Sequence, residues 1–464
     1  MSTEIEEQPA GPPAPPRLRA RVRAFTGPAG GLRRVLLKAV AGSAGLKGIN
    51  MVLTSGVAIV LARVLGPAGY GVYAVAMATI TMLGVPSQLG LPTLLMREVA
   101  RHDTRQDWSL MRGLLRRGNQ AVVVMSLLCA LGVGIWLWVS PNQQSAEQLA
   151  TLGWALFLLP LVALGGLRSG ALRGLRRVVE GQVPEMVIRP LGTLLLVGGL
   201  VWAAGSESLT PSTAMALNVL ATFIAFLAGA VLLHRAMPPG VRVAPPVYDT
   251  RAWLRSVIPL SMLGGVQLIN GQADILMLAA LATPEDVGIY RVIVQLTSFV
   301  LVGAVIVNSV QAPYLARFHA EGNLPMVKRM AQQGSRALFL SALAIAAVLV
   351  IGGKPILAGV FGPEYVHGYV PMVIWCAGIV FFAEQGSLIM VMNMAGHEKD
   401  TVVAMAIGAA ANVLFNFVAI PRWGMLGAAS ATMLSTLVWR TLLRRQLRLK
   451  LGMEIGALGT MRGT

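Results

Sequence analysis

Asp274 stands in the apolar stretch LINGQADILML with Asn270 and Gln272, and Arg291 falls inside the next apolar run. Helical rise places Asp274 roughly 10 Å below the end of its helix, with Arg291 one turn shallower on the adjoining one. Ionisable groups at such depth mark ion paths or switches, or are held in permanent pairs. Asp274 and Arg291 therefore read either as an ion-coupling switch or as a fixed pair fastening a hairpin. Glu384, in VFFAEQGSLIM, has no cation close in sequence. A carboxylate there is protonated, paired across helices or bathed in cavity water, which leaves proton or sodium coupling and an interhelical hydrogen bond as its two roles. Arg63, Arg97 and Arg189 lie near the ends of apolar runs. There a guanidinium either snorkels to the interface or takes a phosphate by its fork of donors. Gln88 and Asn412, like Asn50, Asn218, Gln267, Gln295, Asn308, Asn393 and Asn416, supply amides to a sugar path or to helix contacts.

No catalytic set accompanies these groups. The five histidines fall in loops or at their edges, and no His-Glu metal motif, phosphate-cradling Lys loop or nucleophile elbow is present. Cys129 and Cys376 are far apart in apolar runs, so neither a disulfide framework nor a thiolate metal site is expected. Transport without ATP hydrolysis by this chain is the expectation, drawing on a proton or sodium gradient, on the substrate gradient or on a partner, with no cofactor.

What must position these residues is a membrane domain. The chain has 464 residues, of which 55% are hydrophobic and only 12% charged, half the charge of a soluble domain. Twelve apolar runs can cross about 30 Å of hydrocarbon, near 42–62, 72–95, 120–139, 149–172, 187–204, 214–233, 257–281, 288–312, 337–353, 370–394, 402–420 and 425–443. Backbone satisfaction in lipid makes each a helix. Of the 38 Lys and Arg, 34 fall at the ends and in alternate breaks, which puts both termini in the cytoplasm. The formal charge of +18 is thereby spread over loops, and nucleic acid is not a partner. Residues 1–35 read as a disordered tail, 36–235 and 257–445 as two six-helix lobes, 236–256 as their linker and 446–464 as a second tail. Arg33, Arg34 and Lys38 serve either as topology charges or as an amphipathic contact with anionic membrane lipid.

The halves are related. LARVLGPAGYGVY, 61–73, and LAALATPEDVGIY, 278–290, share Leu, Ala, Pro, Gly and Tyr at five equal offsets, 217 residues apart. Parallel repeats of this kind build transporters that hold substrate between their halves. The repeated turn reads first as structural, with Pro67 and Pro284 restricting the chain and Gly71 and Gly288 admitting a tight turn, and secondly as a gate. Gly166, Gly170 and Gly174 recur every four positions and permit close helix approach.

LARVLGPAGYGVYAVAMA, the Gln88 stretch followed by LMREVA, ADILMLAALATPEDVGIY and the late NMAGHEKD, NVLFN and IPRWGMLGAASAT occur in this order. In them the chain resembles, over roughly residues 38–445, the polysaccharide exporters of the multidrug/oligosaccharidyl-lipid/polysaccharide superfamily, the Wzx-like O-antigen flippases. The resemblance implies an all-α inner-membrane protein of two six-helix lobes about a pseudo-twofold axis. It would move undecaprenyl-pyrophosphate-linked oligosaccharide outward by alternating access, through a cavity that meets lipid between spans one and eight, with polysaccharide polymerases among its partners. Related lipid II flippases carry arginines within the first span. Here that stretch, GINMVLTSGVAIVL, is uncharged, which argues against a peptidoglycan precursor. A multidrug or cation exporter of the same superfamily would need a compact acidic or aromatic pocket. A glycan polymerase or ligase would need a larger outer loop than residues 354–369 offer.

Overall fold

The computed structural model describes residues 30–139 and 145–457, without the side chains of 30–41 and of some residues within 258–270 and 305–320. The described backbone is mostly helical, the helices joined by short turns, and has no strand. The first half comprises α1 (Gly30–Gln88), α2 (Leu91–Arg105), α3 (Trp108–Val139), α4 (Ala146–Gly174), α5 (Val178–Ala204) and α6 (Pro211–Ala236). The second comprises α7 (Thr250–Leu281), α8 (Pro284–Thr297), α9 (Val302–Ala320), α10 (Leu324–Ile356), α11 (Tyr369–Glu384), α12 (Leu388–Met394) and α13 (Glu398–Leu451). Among the described residues nine helical segments are long and apolar enough to cross a membrane. The protein is therefore a multi-pass membrane protein.

Local sequence fixes where the helices start and fold back. Ser145 and Gln148 form a reciprocal capping box at α4, and Thr210 and Thr283 cap α6 and α8 just ahead of Pro211 and Pro284. Two of the longest helices each contain two arms. α1 folds at Gly66 (φ 66°) and α13 at Gly424 (φ 52°), left-handed positions that glycine adopts without a Cβ penalty. The triplet of small residues on α4 does what its spacing predicts: a Cβ at Gly170 would meet the Pro92 carbonyl oxygen at 2.3 Å, and one at Gly174 the Met96 oxygen at 2.9 Å.

The repeated segments pack against each other. A Cβ on Gly71 would stand 1.8 Å from the Pro284 carbonyl oxygen, and one on Gly288 would stand 1.9 Å from that of Pro67. The contact is reciprocal, as a pseudo-twofold relation between the halves requires, and it brings α8 against the second arm of α1. At the same end the Tyr365 hydroxyl donates to the Ala62 carbonyl at 2.9 Å. The core there runs across both halves, from Leu61 and Tyr73 to Ile293 and Tyr365. Two smaller cores lie at the opposite, basic end: one around Leu94 and Met111, which α7 joins through Trp253 and Val257, and one around Leu388 and Leu447 within the second half. A cavity of about 850 Å³ lies between Lys47 of α1, Asn308 of α9 and Asn393 of α12, where the first and eighth spans were expected to meet lipid.

The carboxyl end departs from the sequence reading. α13 continues past residue 445 to Leu451, and Met453, Ile455 and Ala457 are buried on the second half. Arg440, one of the 34 basic residues placed at the ends and in alternate breaks, is fully buried and stacks 3.7 Å from the Phe382 ring.

Candidate functional site

Two polar assemblies flank α8. The first is centred on Asp274 of α7, 7% exposed. Asn416 Nδ2 donates to Asp274 Oδ1 at 2.7 Å, Tyr290 O–H donates to Oδ2 at 3.2 Å, and the Thr432 hydroxyl also donates to Oδ2. Asn416 Nδ2 donates to Asn412 Oδ1 as well, at 3.0 Å, and Trp375 Nε1 donates to the Tyr290 hydroxyl oxygen at 2.9 Å. Four helices thus converge on one carboxylate: α7, α8, α11 and both arms of α13. Asn416 Oδ1 is buried and has no hydrogen-bond partner among the described residues. Asn412, Thr432 and Trp375 face a cavity of about 200 Å³. Carboxylate, amide and hydroxyl oxygens are the hard donors that suit a proton or a small hard cation.

The second assembly lines a cavity of about 290 Å³ between the first half and α8. Arg189 of α5 and Arg291 of α8 both face it, with Glu185, Asn50, Asn218 and Gln295. Arg189 lies 3.7 Å from Glu185 and donates to Asn218 Oδ1 at 3.5 Å. The Tyr70 hydroxyl is within hydrogen-bonding reach of Arg291, and Gln295 Nε2 donates to Ser55 Oγ at 2.9 Å. With two guanidinium groups and one carboxylate on its wall, the cavity carries a net +1, beside amides and hydroxyls.

The expected Asp274–Arg291 pair does not form. Successive residues turn about 100° around a helix, so α8 turns Tyr290 to Asp274 and Arg291 away into the cavity. Arg189 and Arg291, from different halves, are brought together instead. Arg63 lies elsewhere, donating to the carbonyls of Val360 at 2.7 Å and Gly359. Arg97 is half-exposed, bound to Glu98 at 3.1 Å and Ser256 Oγ at 3.0 Å. Gln88 ends α1 beside Gly166, and Gln272 is half-buried two residues before Asp274. The side chains of Asn270, Gln267 and the Arg33–Lys38 segment lie outside the described residues.

Glu384 stands within the apolar segment Pro363–Met394, at a break between its two helices. α11 ends on it, because the chain turns at 385–387 before α12. Its carbonyl accepts from Ala457 N at 2.8 Å, and Arg440 lies within electrostatic reach. A cation, absent from its sequence neighbourhood, thus comes from α13, without a hydrogen bond between the two side chains.

Sequence reasoning missed Tyr290, Thr432, Trp375 and Glu185. A signal for Tyr290 was present: the repeat ends in Tyr in both copies, and its counterpart Tyr73 accepts from Asn218 Nδ2 at 2.9 Å. Glu185 and Arg189 stand four apart on one helix, the spacing of an intrahelical pair.

Residues 36–319 match the family described as polysaccharide biosynthesis protein. No curated protein matches the chain by sequence. Among solved structures the fold is similar to that of lipid II flippase MurJ in an inward closed conformation, with a TM-score of 0.69 at 9% identity over 89% of this chain and 87% of that one. It is similar as well to an inward-facing multidrug resistance MATE family transporter of the MOP superfamily, at TM-score 0.68 and 11% identity, covering 88% and 98%. A third is a MOP superfamily transporter from Pyrococcus furiosus, at TM-score 0.58 and 13% identity, covering 89% and 96%.

Proposed function

Because the chain belongs to the polysaccharide biosynthesis protein family, we propose that it is a flippase. It moves polyprenyl-pyrophosphate-linked oligosaccharide across the cytoplasmic membrane by alternating access, for cell-surface polysaccharide. The observation that carries this reading is the pairing of Arg189 and Arg291, from opposite halves, on one cavity wall among amides. Guanidinium forks suit a pyrophosphate, and amides and hydroxyls suit a sugar chain. The lipid tail stays in hydrocarbon and leaves through the gap beside Lys47. No bond is made or broken, so the work is relocation of charge and sugar, and enzyme chemistry is not part of it.

Counting both arms of α1 and of α13 and adding α7 to the nine segments gives twelve crossings, 9 + 2 + 1, in keeping with two six-helix lobes and both termini in the cytoplasm. In that orientation the Gly71–Gly288 contact faces outward and the basic end faces the cytoplasm. The Asp274 assembly is the coupling site, taking a proton or sodium as co-transported cargo on its carboxylate with Asn412, Asn416 and Thr432. The unpartnered Asn416 oxygen supports a cation there. A cationic drug is disfavoured by the positive wall of the central cavity.

In proteoliposomes, a fluorescent polyprenyl-pyrophosphate-linked sugar reports flipping by its exposure to an impermeant quencher. Arg291→Gln and Arg189→Gln are each expected to slow it at least about tenfold, since a charge-assisted bond is worth 1.5–3 kcal/mol. Arg422→Gln, in the outward turn before Gly424, should leave the rate as it is. Normal flipping in both cavity variants would remove the pyrophosphate reading.

A further inference from the structure

α8 presents two different faces to the two assemblies. Gly288, Arg291 and Gln295 lie at i, i+3 and i+7, within one stripe of the helix. All three face the first half: Gly288 against Pro67, Arg291 at Tyr70 and Gln295 on Ser55. Tyr290 is about 200° from Gly288 around the same helix. It is fully buried on the opposite side, donating to Asp274 and accepting from Trp375. The helix is stiff between these residues, since each is within one turn of the next. Whatever moves Tyr290 therefore moves Arg291.

We propose that Tyr290 is a positioning residue that transmits the occupancy of the Asp274 site to Arg291, so that ion and pyrophosphate bind with a shared coupling energy. The inference rests on the reading of Asp274 as the ion site and Arg291 as a pyrophosphate ligand. With Asp274 ionised, its Oδ2 accepts from the Tyr290 hydroxyl and holds that face of α8 against α7. A proton on the carboxylate, or a cation sharing its oxygens, weakens it as an acceptor and frees the hydroxyl to turn toward another partner. The helix then shifts relative to the first half and changes the reach of the Arg291 fork into the cavity. Reciprocity follows from linkage: if the ion changes pyrophosphate affinity, pyrophosphate changes ion affinity by the same factor.

The test uses the full chain in detergent with farnesyl pyrophosphate as the probe. Its affinity is measured in sodium against choline, and at low against high pH. Heat stability under the same conditions reports ion binding separately. The wild type is expected to show about a tenfold affinity ratio for one of the two ions, within the usual span of coupling energies. Tyr290→Phe keeps the ring and removes the hydroxyl. It should bring that ratio close to one while the ion still raises the melting temperature, because the ion's own ligands remain. Trp375→Phe, which removes the donor to Tyr290, should give an intermediate ratio. A Tyr290→Phe protein that keeps the full ratio overturns the proposal and leaves the flippase reading standing. Loss of both the ratio and the heat shift makes Tyr290 part of the ion site and overturns the relay. A wild type that binds the probe with no ion dependence overturns it as well. A wild type that fails to bind the probe at all overturns both the relay and the pyrophosphate reading beneath it.

Discussion

Asp274→Asn is expected to cut gradient-driven flipping by about 10–100-fold, the range seen when a ligand or its immediate support is removed from an ion site. Three donors converge on this carboxylate, from Tyr290, Asn416 and Thr432. An amide offers one oxygen where the carboxylate offers two, so at least one of the donors faces an NH₂ group and loses its acceptor. Leaving a buried donor unsatisfied costs about 1–3 kcal/mol, which predicts a lower melting temperature alongside the transport defect. The two effects separate in vesicles. Downhill exchange of labelled substrate needs no ion cycle and should persist at a measurable rate, whereas movement against the substrate gradient should carry the whole of that loss. Full driven transport by the Asn variant, at normal expression, would take Asp274 out of the coupling role and leave it a helix fastener.

The class of the fold was legible because it rests on bulk properties. Apolar runs long enough to span hydrocarbon and the five matched positions of the repeat are one-dimensional signals, and the helices and the reciprocal Gly71–Gly288 contact follow from them. Where helices stop was less legible. Glu384 reads as mid-span, because FFAEQGSLIM is apolar on both sides, yet α11 ends there and the chain turns through Gly386 before α12. Nothing local demands that turn. Its surroundings are long-range, with buried Met453, Ile455 and Ala457 and the Arg440 guanidinium packed nearby.

The site was half legible for a related reason. Asp274, Arg291, Arg189 and Asn412 stand out as polar groups in apolar runs, and all four line or build the two assemblies. Their grouping depends on the azimuth of each residue about its helix. Proximity in sequence paired Asp274 with Arg291, but the single-residue step from Tyr290 turns Arg291 about 100° around α8, away from Asp274 and toward the cavity. Tyr290 was overlooked because it read as part of the repeated turn, and Thr432 because a Ser or Thr hydroxyl in a membrane helix is common and usually bonds its own backbone. Thr432 does this too, donating to the Ala428 carbonyl at 3.1 Å, and only the approach of α7 gives it Asp274 as a second acceptor.

Gly288→Ala and Gly71→Ala are expected to hold the protein open at the end where the repeats meet. At Gly288 the added Cβ would lie 1.9 Å from the Pro67 carbonyl oxygen, while ordinary contact begins at 3.4 Å. α8 and the second arm of α1 must then part by about 1.5 Å, 3.4 − 1.9, and both partners are backbone, so no side chain can swing aside. Overpacking of this kind costs about 1–3 kcal/mol, which moves a two-state equilibrium about 5–150-fold. The cost falls only on the state in which the repeats touch, so it disfavours closure of that end and spares the state in which they are apart. In a background lacking Cys129 and Cys376, Leu61→Cys reports the change, since Leu61 is 1% exposed in the closed end and borders the Arg189–Arg291 cavity. An impermeant maleimide added outside should label it faster in either glycine variant than in the parent, and flipping should slow in proportion. Gly198→Ala, whose added Cβ meets nothing within 4 Å, controls for the loss of a glycine from a membrane helix. Slow labelling with normal flipping in both Gly71→Ala and Gly288→Ala would show that the close approach is packing alone, and that the gate through which substrate leaves lies elsewhere between the halves.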